Sequence, residues 1–390
     1  MLRFLTAGES HGKGLVTIID NFPSGVKIDS SFINEKLRAR QSGYGRGARQ
    51  KIESDQVEFL SGVRGGYTTG SPISIFIKNR DFENWKERMD AFKPLSEDAK
   101  IHIPRPGHAD FAGSLKYGQD DIRNILERSS ARETASRVAA GALFQLLLKN
   151  FGIEFSSAVL SIGGIGDEKI PELDLFDGKI LKNISRSELR MPFPEAENEI
   201  KKNIDRIKKA GDTAGGIFIV QAKKVPPGLG SFTQWDEKLD GHIAMSLMSI
   251  QAIKSVEIGM GVKSASMKGS EFQDSIYSCG NKGFCRKSDN AGGIEGGVSN
   301  GENIIVKCAM KPIPTLMKPY LDTVDLKTGK PEKAFLERSD VCAVPAASVV
   351  GEAALAFSIC LFFLKKFGGD SLKEISRNFE GYIKQLPGGK

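Results

Sequence analysis

The stretch from Glu127 to Gly152 reads ERSSARETASRVAAGALFQLLLKNFG and predicts the helix on which the fold depends. It starts with a capping-box pattern, in which the Ser130 hydroxyl accepts from the amide of Glu133 while the Glu133 carboxylate reaches back. Apolar residues then recur on one face, among them Val138, Ala142 and Leu146. Small residues between them permit close packing, so we expect this helix in the middle of a layered structure with sheets outside.

A second segment, residues 337–369, has the same plan and reads ERSDVCAVPAASVVGEAALAFSICLFFLKKFGG. Both segments pass from Glu-Arg-Ser through small residues into an apolar helix that ends in lysine, phenylalanine and glycine. A weaker pair is formed by residues 7–20 and 291–310, which are glycine-rich turns leading into a strand. We therefore predict two halves of similar build within an α/β fold.

The remaining elements follow from local patterns. Runs of β-branched residues bounded by glycine or proline predict strands at 15–20, 71–77, 215–225 and 303–310. The most apolar segment, 344–364, approaches the length of a membrane span but contains Pro345 and Glu352. We expect it to be a buried core helix, and we expect no membrane partner.

Composition narrows the class of ligand and the compartment. The net charge is +7 with both signs interspersed, which favours a small anionic ligand over nucleic acid. The five cysteines include no CxxC pair and do not suggest a disulfide framework. No apolar stretch of signal-peptide length opens the chain. These features predict a cytoplasmic protein, and its 390 residues allow one large domain or two to three small ones.

An arginine-rich loop lies at 37–50, LRARQSGYGRGARQ. Its glycines disfavour a stable helix. Guanidinium groups on such a loop can form bidentate bonds to carboxylate or phosphate, and the loop offers Arg38, Arg40, Arg46 and Arg49. A solvated basic loop or an RNA-binding segment fits the same residues, and the local pattern does not separate these alternatives.

Two of the four histidines lie in segments suited to presenting a side chain. His11 lies in GESHG, where glycines leave room around it, and His108 follows Arg105 in the proline-stiffened segment HIPRPGHADFAG. A surface turn is the alternative for each. His102 and His242 lack such surroundings, and we expect them to be structural.

Further candidates carry charge or hydroxyl groups at element ends. Free amides at a helix N-terminus suit an anion, and that end of the predicted helix carries Arg128, Ser129, Ser130 and Arg132. A proline-fixed loop places Lys311 near Thr315. Asp340 precedes the second apolar helix and is either its N-cap or a carboxylate held beside Arg338.

The sequence contains no motif for other common kinds of catalytic or nucleotide-binding site. HExxH, Walker and GxSxG patterns are absent, as is any acidic cluster with metal-ligand spacing, so we expect no metal. GGIEGGVSNG is followed by a predicted strand, whereas the dinucleotide fingerprint opens a helix. The residues together predict an arginine-rich site with two histidines and one carboxylate, suited to a small polyanion.

The chain resembles the chorismate synthase family over nearly its whole length. The matching segments occur in the family's order and are GESHG, RQSGYGRGARQ, LSGVRGGYTTGSPI, RPGHADFAGSLKYG, DIRNILERSSARETASRVAAGA, PPGLGSF, MSIQAIKSVEIG, NAGGIEGGVSNG, KPIPT and ERSDVCAVPAA. The resemblance implies a single domain over residues 1–390. It also implies a β-α-β sandwich in which antiparallel sheets enclose central helices, with an internal pseudo-two-fold repeat and assembly as a homotetramer.

The resemblance further implies a lyase of aromatic amino acid biosynthesis. It would convert 5-enolpyruvylshikimate 3-phosphate to chorismate and phosphate by 1,4-anti elimination, with reduced FMN (FMNH2) and no net redox change. In this interpretation His11 protonates the leaving phosphate, His108 protonates or steadies the flavin, and Asp340 assists proton removal.

The family's binding motifs map onto two sets of residues. The substrate or NADP would be met by Arg40, Arg46, Arg49, Arg105 and Arg132, with Arg338 also facing the pocket. The flavin would be met by Arg128, Ser129, Ser130, Gln251, Ala252, Gly296, Lys311, Pro312, Ile313, Pro314, Thr315 and Arg338.

Two alternative functions are an RNA-binding protein, which the residues allow, and an NAD(P)H:flavin oxidoreductase, which the family resemblance implies. An RNA-binding protein would use the glycine-arginine loop and ignore flavin. A bifunctional enzyme would also reduce its own flavin with NADPH. Because no clear nicotinamide fingerprint is present, we expect the monofunctional form, supplied by an external flavin reductase, with NADPH only as a possible reductant.

Overall fold

The computed structural model describes residues 1–46, 54–167, 173–280, 283–334 and 339–387. Its helices are α1 Ser30–Gln41, α2 Asp110–Tyr117, α3 Arg123–Ser129, α4 Thr134–Lys149, α5 Gly178–Arg186, α6 Glu197–Ala210, α7 Leu239–Met248, α8 Gly269–Phe272, α9 Val344–Phe367 and α10 Leu372–Ile383. Short 3-10 turns occur between several of them, including Ala131–Glu133 directly before α4.

Two antiparallel sheets form the outer layers. The first has strand order β1-β2-β6-β3, with bounds β1 Arg3–Ala7, β2 Gly14–Asp20, β3 Glu58–Ser61 and β6 Ile73–Lys78. The second has order β10-β15-β9-β7-β8, with bounds β7 Glu154–Ile162, β8 Ile165–Gly166, β9 Gly216–Lys223, β10 Ile253–Ile258 and β15 Ile304–Met310. The four strands predicted from sequence are β2, β6, β9 and β15.

Small hairpins complete the strands. They are β4 Val63–Arg64 with β5 Tyr67–Thr68, β11 Ile276–Ser278 with β12 Phe284–Arg286, β13 Ile294–Glu295 with β14 Val298–Ser299, and β16 Asp322–Val324 with β17 Pro331–Lys333.

The central layer consists of helices, with α4 and α9 packed along each other and flanked by α1 and α7. On one side α4 contacts β2, and on the other α9 contacts β7 and β9. Close approach depends on small residues, since a Cβ built at Gly141 of α4 would lie 2.3 Å from the Cβ of Ala353. The predicted sandwich of antiparallel sheets around central helices is confirmed, while the pseudo-two-fold repeat remains a prediction.

The helix α9 is long and apolar enough to cross a membrane, yet most of it is buried inside the protein, as the sequence predicted. Its one acidic residue, Glu352, lies in the interior and accepts from Gln145 Nε2 at 3.2 Å and Ser157 Oγ at 3.1 Å. Lys36 supplies the ion-pair partner. A buried carboxylate is tolerated in the core because its charge is paired and its lone pairs are bonded.

The predicted capping box is wrong in detail. Ser130 Oγ accepts from the amide of Arg132 at 3.3 Å, not from that of Glu133. The Glu133 carboxylate is directed elsewhere and accepts from Thr6 Oγ1 at 2.8 Å and Arg137 Nε at 3.0 Å. The carboxylate is therefore not available to the capping box. A 3-10 turn precedes α4, which ends three residues before Gly152.

The cysteine pattern did not predict one disulfide of the structure. A disulfide joins Cys279 to Cys285 at the β11–β12 hairpin, where the amide of Cys279 donates to the Gly283 carbonyl at 2.8 Å. Counting cysteines could not reveal that the hairpin register brings these two together. Cys308, Cys342 and Cys360 are buried thiols, and burial raises the pKa of Cys308 to about 12.

Candidate active site

The first predicted histidine, His11, lies on the loop between β1 and β2 and is only 9% exposed. Its Nδ1 lies 2.8 Å from Oε1 of Glu127 on α3, and its backbone amide donates to Oε2 of the same carboxylate at 2.7 Å. The ring of Trp85 stacks on the imidazole with centroids 4.0 Å apart and planes inclined by 27°. The imidazole is therefore held between a carboxylate and an aromatic face.

The loop that carries His11 is fixed by the side chain of Asn79, which directly follows β6. Its Nδ2 donates to the carbonyls of Glu9 at 3.1 Å, Ser10 at 3.3 Å and Gly12 at 2.8 Å. Gly8 permits the turn because its φ is +105° and a Cβ there would lie 2.3 Å from the Gly14 carbonyl oxygen. Glycine at position 8 thus allows the backbone there to approach the backbone of Gly14.

A buried chain of charged groups continues from Asn79. Asn79 Oδ1 accepts from Arg132 Nε at 2.9 Å, and Arg132 Nη1 lies 2.7 Å from Oδ2 of Asp55. The same carboxylate oxygen lies 3.1 Å from Nη2 of Arg40. Two predicted substrate-binding arginines therefore share one carboxylate.

Burial and the neighbouring opposite charges shift the pKa values of Arg40 and Asp55 in opposite directions. Desolvation lowers the pKa of Arg40 to about 10, even though the neighbouring Asp55 opposes that change. Burial alone would raise the pKa of Asp55, but hydrogen bonds and charge from Arg132 and Arg40 outweigh it and hold the pKa below its usual range. Asp55 is therefore ionised at neutral pH.

A second ion pair joins two predicted site residues. Nη1 of Arg46 lies 2.7 Å from Oδ2 of Asp340. The backbone supports the contact, since the amide of Val341 donates to the Gly45 carbonyl at 2.9 Å. The proposed base and an arginine assigned to substrate are thus adjacent.

The second predicted histidine, His108, also has a carboxylate partner. Its Nδ1 lies 2.5 Å from Oδ1 of Asp110, the first residue of α2. Nε of Arg105 lies 2.8 Å from Asp110 Oδ2, and its Nη1 donates to Thr315 Oγ1 at 2.9 Å. Burial would raise the pKa of Asp110, but the bonds from His108 and Arg105 outweigh it and keep the pKa well below its usual range.

Several predicted flavin residues meet at the end of β15. The amide of Lys311 donates to the Ala252 carbonyl at 2.9 Å, and its ammonium donates to the Gly107 carbonyl at 2.6 Å. Gln251 Nε2 donates to Glu133 Oε2 at 3.3 Å. The other amide atom of Gln251, Oε1, is buried and has no hydrogen-bond partner among the described residues.

Proteins of known identity are similar to this chain in sequence and in fold. A model of the family described as chorismate synthase matches residues 2–364. The chain belongs to the chorismate synthase family. The chorismate synthase of Desulforudis audaxviator is 52% identical over 388 residues, covering 99% of this chain and 98% of that protein. That of Aquifex aeolicus is 52% identical over 391 residues, covering 99% and 98%.

A solved structure, described as the crystal structure of chorismate synthase, gives a TM-score of 0.78 at 44% identity and covers 98% of this chain and 97% of that one. The resemblance inferred from sequence is therefore confirmed, and with it the assignment as a lyase. Membership in the chorismate synthase family gives the enzyme its role in the final step of the shikimate pathway.

Several other residues implied by the family resemblance form hydrogen bonds with separate partners within the chain. Arg128 Nη2 donates to the Thr6 carbonyl at 2.8 Å, Ser129 Oγ to the Ile125 carbonyl at 2.8 Å, and Ser130 Oγ to Ser10 Oγ at 3.2 Å. The loop of Pro312, Ile313 and Pro314 is tied down where the Ile313 carbonyl accepts from Thr213 Oγ1 at 2.7 Å. Arg49 and Arg338 lie outside the described residues.

Gly296 does not lie beside Gln251 within this chain. It lies in the β13–β14 turn, whose Gly297 carbonyl accepts from the amide of Leu239 at the start of α7. Gln251 follows the opposite end of α7, and a helix of this length spans about 15 Å.

The remaining histidines have structural surroundings. The His242 ring packs at a tilt against Phe357 and edge-to-face against Phe362 on α9, and burial lowers its pKa. Nδ1 of His102 lies 2.9 Å from the carbonyl of Asp120.

Sequence reasoning missed Glu127, Trp85, Asn79 and Asp55 as parts of the site. Glu127 opens the quoted ERSSARE stretch but was read only as a marker of the internal repeat. The others belong to no motif, since Asn79 and Asp55 contact Arg132 from 53 and 77 residues away, and Asp55 contacts Arg40 from 15 residues away. No local signal in the chain identified them.

Proposed function

We propose that the enzyme converts 5-enolpyruvylshikimate 3-phosphate to chorismate and phosphate by 1,4-anti elimination, with reduced FMN as cofactor. The observation that carries this proposal is that Asn79 binds both the backbone of the loop that carries the buried His11–Glu127 pair and the guanidinium of the buried Arg132. The substrate bears two carboxylates and one phosphate. Guanidinium groups suit these anions, and an imidazole suits proton donation near neutral pH.

His11 acts in this proposal as the general acid. It donates a proton to the phosphate that leaves carbon three, and such an acid contributes about 10²–10⁴-fold in rate. Arg132, Arg40, Arg46, Arg49 and Arg105 would hold the substrate's anionic groups. Asp340 assists removal of the proton at carbon six, and His108 holds a proton on the flavin side next to Asp110.

The residues present fit a flavin at the end of β15. The buried Oε1 of Gln251 can accept from a ring N–H. The next residue, Ala252, is joined to Lys311 by a backbone hydrogen bond, and the Lys311 ammonium can bind an anionic group. Ala252 has a φ of +67°, a constrained conformation of the kind found at ligand sites. Reduced FMN, when bound, supplies transient electron density to the elimination.

Anaerobic incubation of the pure protein with chemically reduced FMN and the enolpyruvyl substrate tests this function by phosphate release. Release is expected, and its absence would contradict the proposal. His11→Ala should lower turnover by about 10²–10⁴-fold while flavin still binds. His102→Ala is the matched control and should retain turnover, because His102 lies outside the proposed site.

Repeating the assay with oxidised FMN and NADPH tests whether the enzyme reduces its own flavin. We propose the monofunctional form, so phosphate release should then require an added flavin reductase. We further propose that the chain acts as one domain in a cytoplasmic homotetramer, which light scattering on the purified enzyme would check for assembly.

A further inference from the structure

We propose that Glu127 is a positioning residue for His11. Its carboxylate holds the proton of the neutral imidazole on Nδ1, assigns proton transfer to Nε2, and stabilises the imidazolium form. The proposal rests on the proposed role of His11 as general acid.

The geometry around Glu127 supports a fixed orientation of the ring. One carboxylate oxygen lies 2.8 Å from the Nδ1 of His11, and the other accepts from the backbone amide of the same residue at 2.7 Å. A backbone amide is always a donor, so it fixes the carboxylate plane and leaves the first oxygen facing Nδ1. A carboxylate in that position accepts from Nδ1–H, which defines the tautomer.

Glu127 carries a negative charge in this environment. Burial would raise its pKa, but the hydrogen bond and charge of His11, the His11 amide and Arg123 outweigh burial and hold the pKa below its usual value. Arg123 on α3 lies 3.3 Å from the same oxygen as His11. The carboxylate thus faces two groups that favour its ionised form.

Charged groups near His11 come from its own loop, from the segment after β6 and from α3. Glu9 lies near Gly12, where a built Cβ would be 2.9 Å from Glu9 Oε2. The guanidiniums of Arg88 and Arg123 lie 5.7 and 5.2 Å from the ring centroid of Trp85. Carboxylates ordinarily titrate below pH 5 and guanidiniums above pH 12, so a transition between them belongs to histidine.

The stacked indole provides a readout that requires no substrate. Trp85 contacts the His11 ring, and an imidazolium in contact with an indole quenches its fluorescence more than a neutral imidazole does. The chain has one other tryptophan, Trp235, which is 83% exposed. Trp235→Phe therefore leaves Trp85 as the single emitter beside His11.

The experiment is a pH titration of fluorescence in the full-length Trp235→Phe protein without flavin or substrate. The transition should disappear with His11→Ala. Glu127→Gln removes the charge and leaves one acceptor oxygen for two donors, the His11 amide and Nδ1–H, and should move the midpoint to lower pH. Glu133→Gln, a second buried glutamate that contacts Thr6 and Arg137, is the matched control and should leave the midpoint unchanged.

An unchanged midpoint in Glu127→Gln, or a transition that survives His11→Ala, would overturn the proposal. Nitrogen-15 spectra of the unsubstituted protein with labelled histidine give a second test, with the His11 signals assigned by His11→Ala. The Nδ1–H tautomer is expected, and the Nε2–H tautomer would contradict it. Both measurements are independent of phosphate release, so failure here and failure of the proposed function are distinguishable.

Discussion

Arg46 and Asp340 form an ion pair in which Nη1 and Oδ2 are 2.7 Å apart. The family resemblance assigns the first to an anionic substrate and the second to proton removal. A substrate anion bound by Arg46 would compete with Asp340 for the same guanidinium. Substrate binding would then weaken the ion pair and release the Asp340 carboxylate from the guanidinium.

Asp340→Asn is therefore expected to lower kcat by about 10²–10⁴-fold, because the amide cannot accept the proton. Steady-state phosphate release with reduced FMN measures the effect. Asp205→Asn serves as the control, since Asp205 accepts from Tyr44 Oη at 2.9 Å near the same loop and has no proposed chemical role. Full turnover in Asp340→Asn would remove Asp340 from the mechanism.

Asp55→Asn should destabilise the fold by about 3–5 kcal/mol, because it leaves Arg40 and Arg132 buried without their shared carboxylate. Urea unfolding at pH 7 measures the loss. Asp20→Asn is the comparison, since its partner Arg3 has a side chain that is 74% exposed, and an exposed pair contributes about 1 kcal/mol or less. Equal effects at the two positions would contradict the role given to Asp55.

Asp55 should also make the folding stability depend on pH in the acid range. The pKa of Asp55 is lower in the folded protein than in the unfolded chain, so its contribution is present above about pH 4 and is lost as pH falls through the folded pKa. The stability difference between the parent protein and Asp55→Asn should therefore shrink in urea titrations below pH 4. A difference that grows with acidity would refute this interpretation.

Asp289 should behave in the opposite way. Burial raises the pKa of its carboxyl to about 6, with Glu302 and Asp274 adding to the increase and the amide of Gly293 opposing it. The protonated carboxyl contributes its full stability to the fold below the unfolded pKa. This contribution is lost as pH rises through about 6. Asp289→Asn should thus stabilise the protein at pH 7.5, and the gain should vanish near pH 4 in thermal unfolding. A loss at pH 7.5 would show that the carboxylate is needed.

Gly141→Ala should destabilise the protein although alanine is the better helix former. The added Cβ would meet the Cβ of Ala353 at 2.3 Å, which forces α4 and α9 apart, and overpacking of a core costs about 1–3 kcal/mol. Gly381→Ala in α10 has open space around its Cβ and should stabilise by about 0.4–1 kcal/mol. Thermal unfolding of both variants measures the contrast, and a stabilised Gly141→Ala would disprove close helix contact.

The layers could be predicted because each depends on a local pattern. Hydrophobic periodicity marked α4, a long apolar segment marked α9, and β-branched runs marked inner strands of both sheets. The start of α4 could not be predicted, since Thr6 and Arg137 bind the Glu133 carboxylate that the capping box required. A pattern within four residues cannot show that a distant strand will take one of its partners.

The candidate site was predictable where glycine or proline framed a charged residue. His11, His108 and the arginines stood out for that reason, and the structure gives both histidines carboxylate partners. Glu127 and Asp55 did not stand out, because an isolated acidic residue has the same local signal as a solvated surface charge. Their importance arises only when folding buries them against positive groups.

The bonds from Asn79 to three carbonyls fix the His11 loop before any ligand binds. The same side chain that secures the His11 loop also accepts from Arg132, so the loop and the arginine share one anchor. The conformational entropy of the loop is therefore lost during folding and not during turnover. If His11 is the acid, a ligand would meet it in an orientation fixed before binding, and a displacement of Arg132 would reach the His11 loop through Asn79.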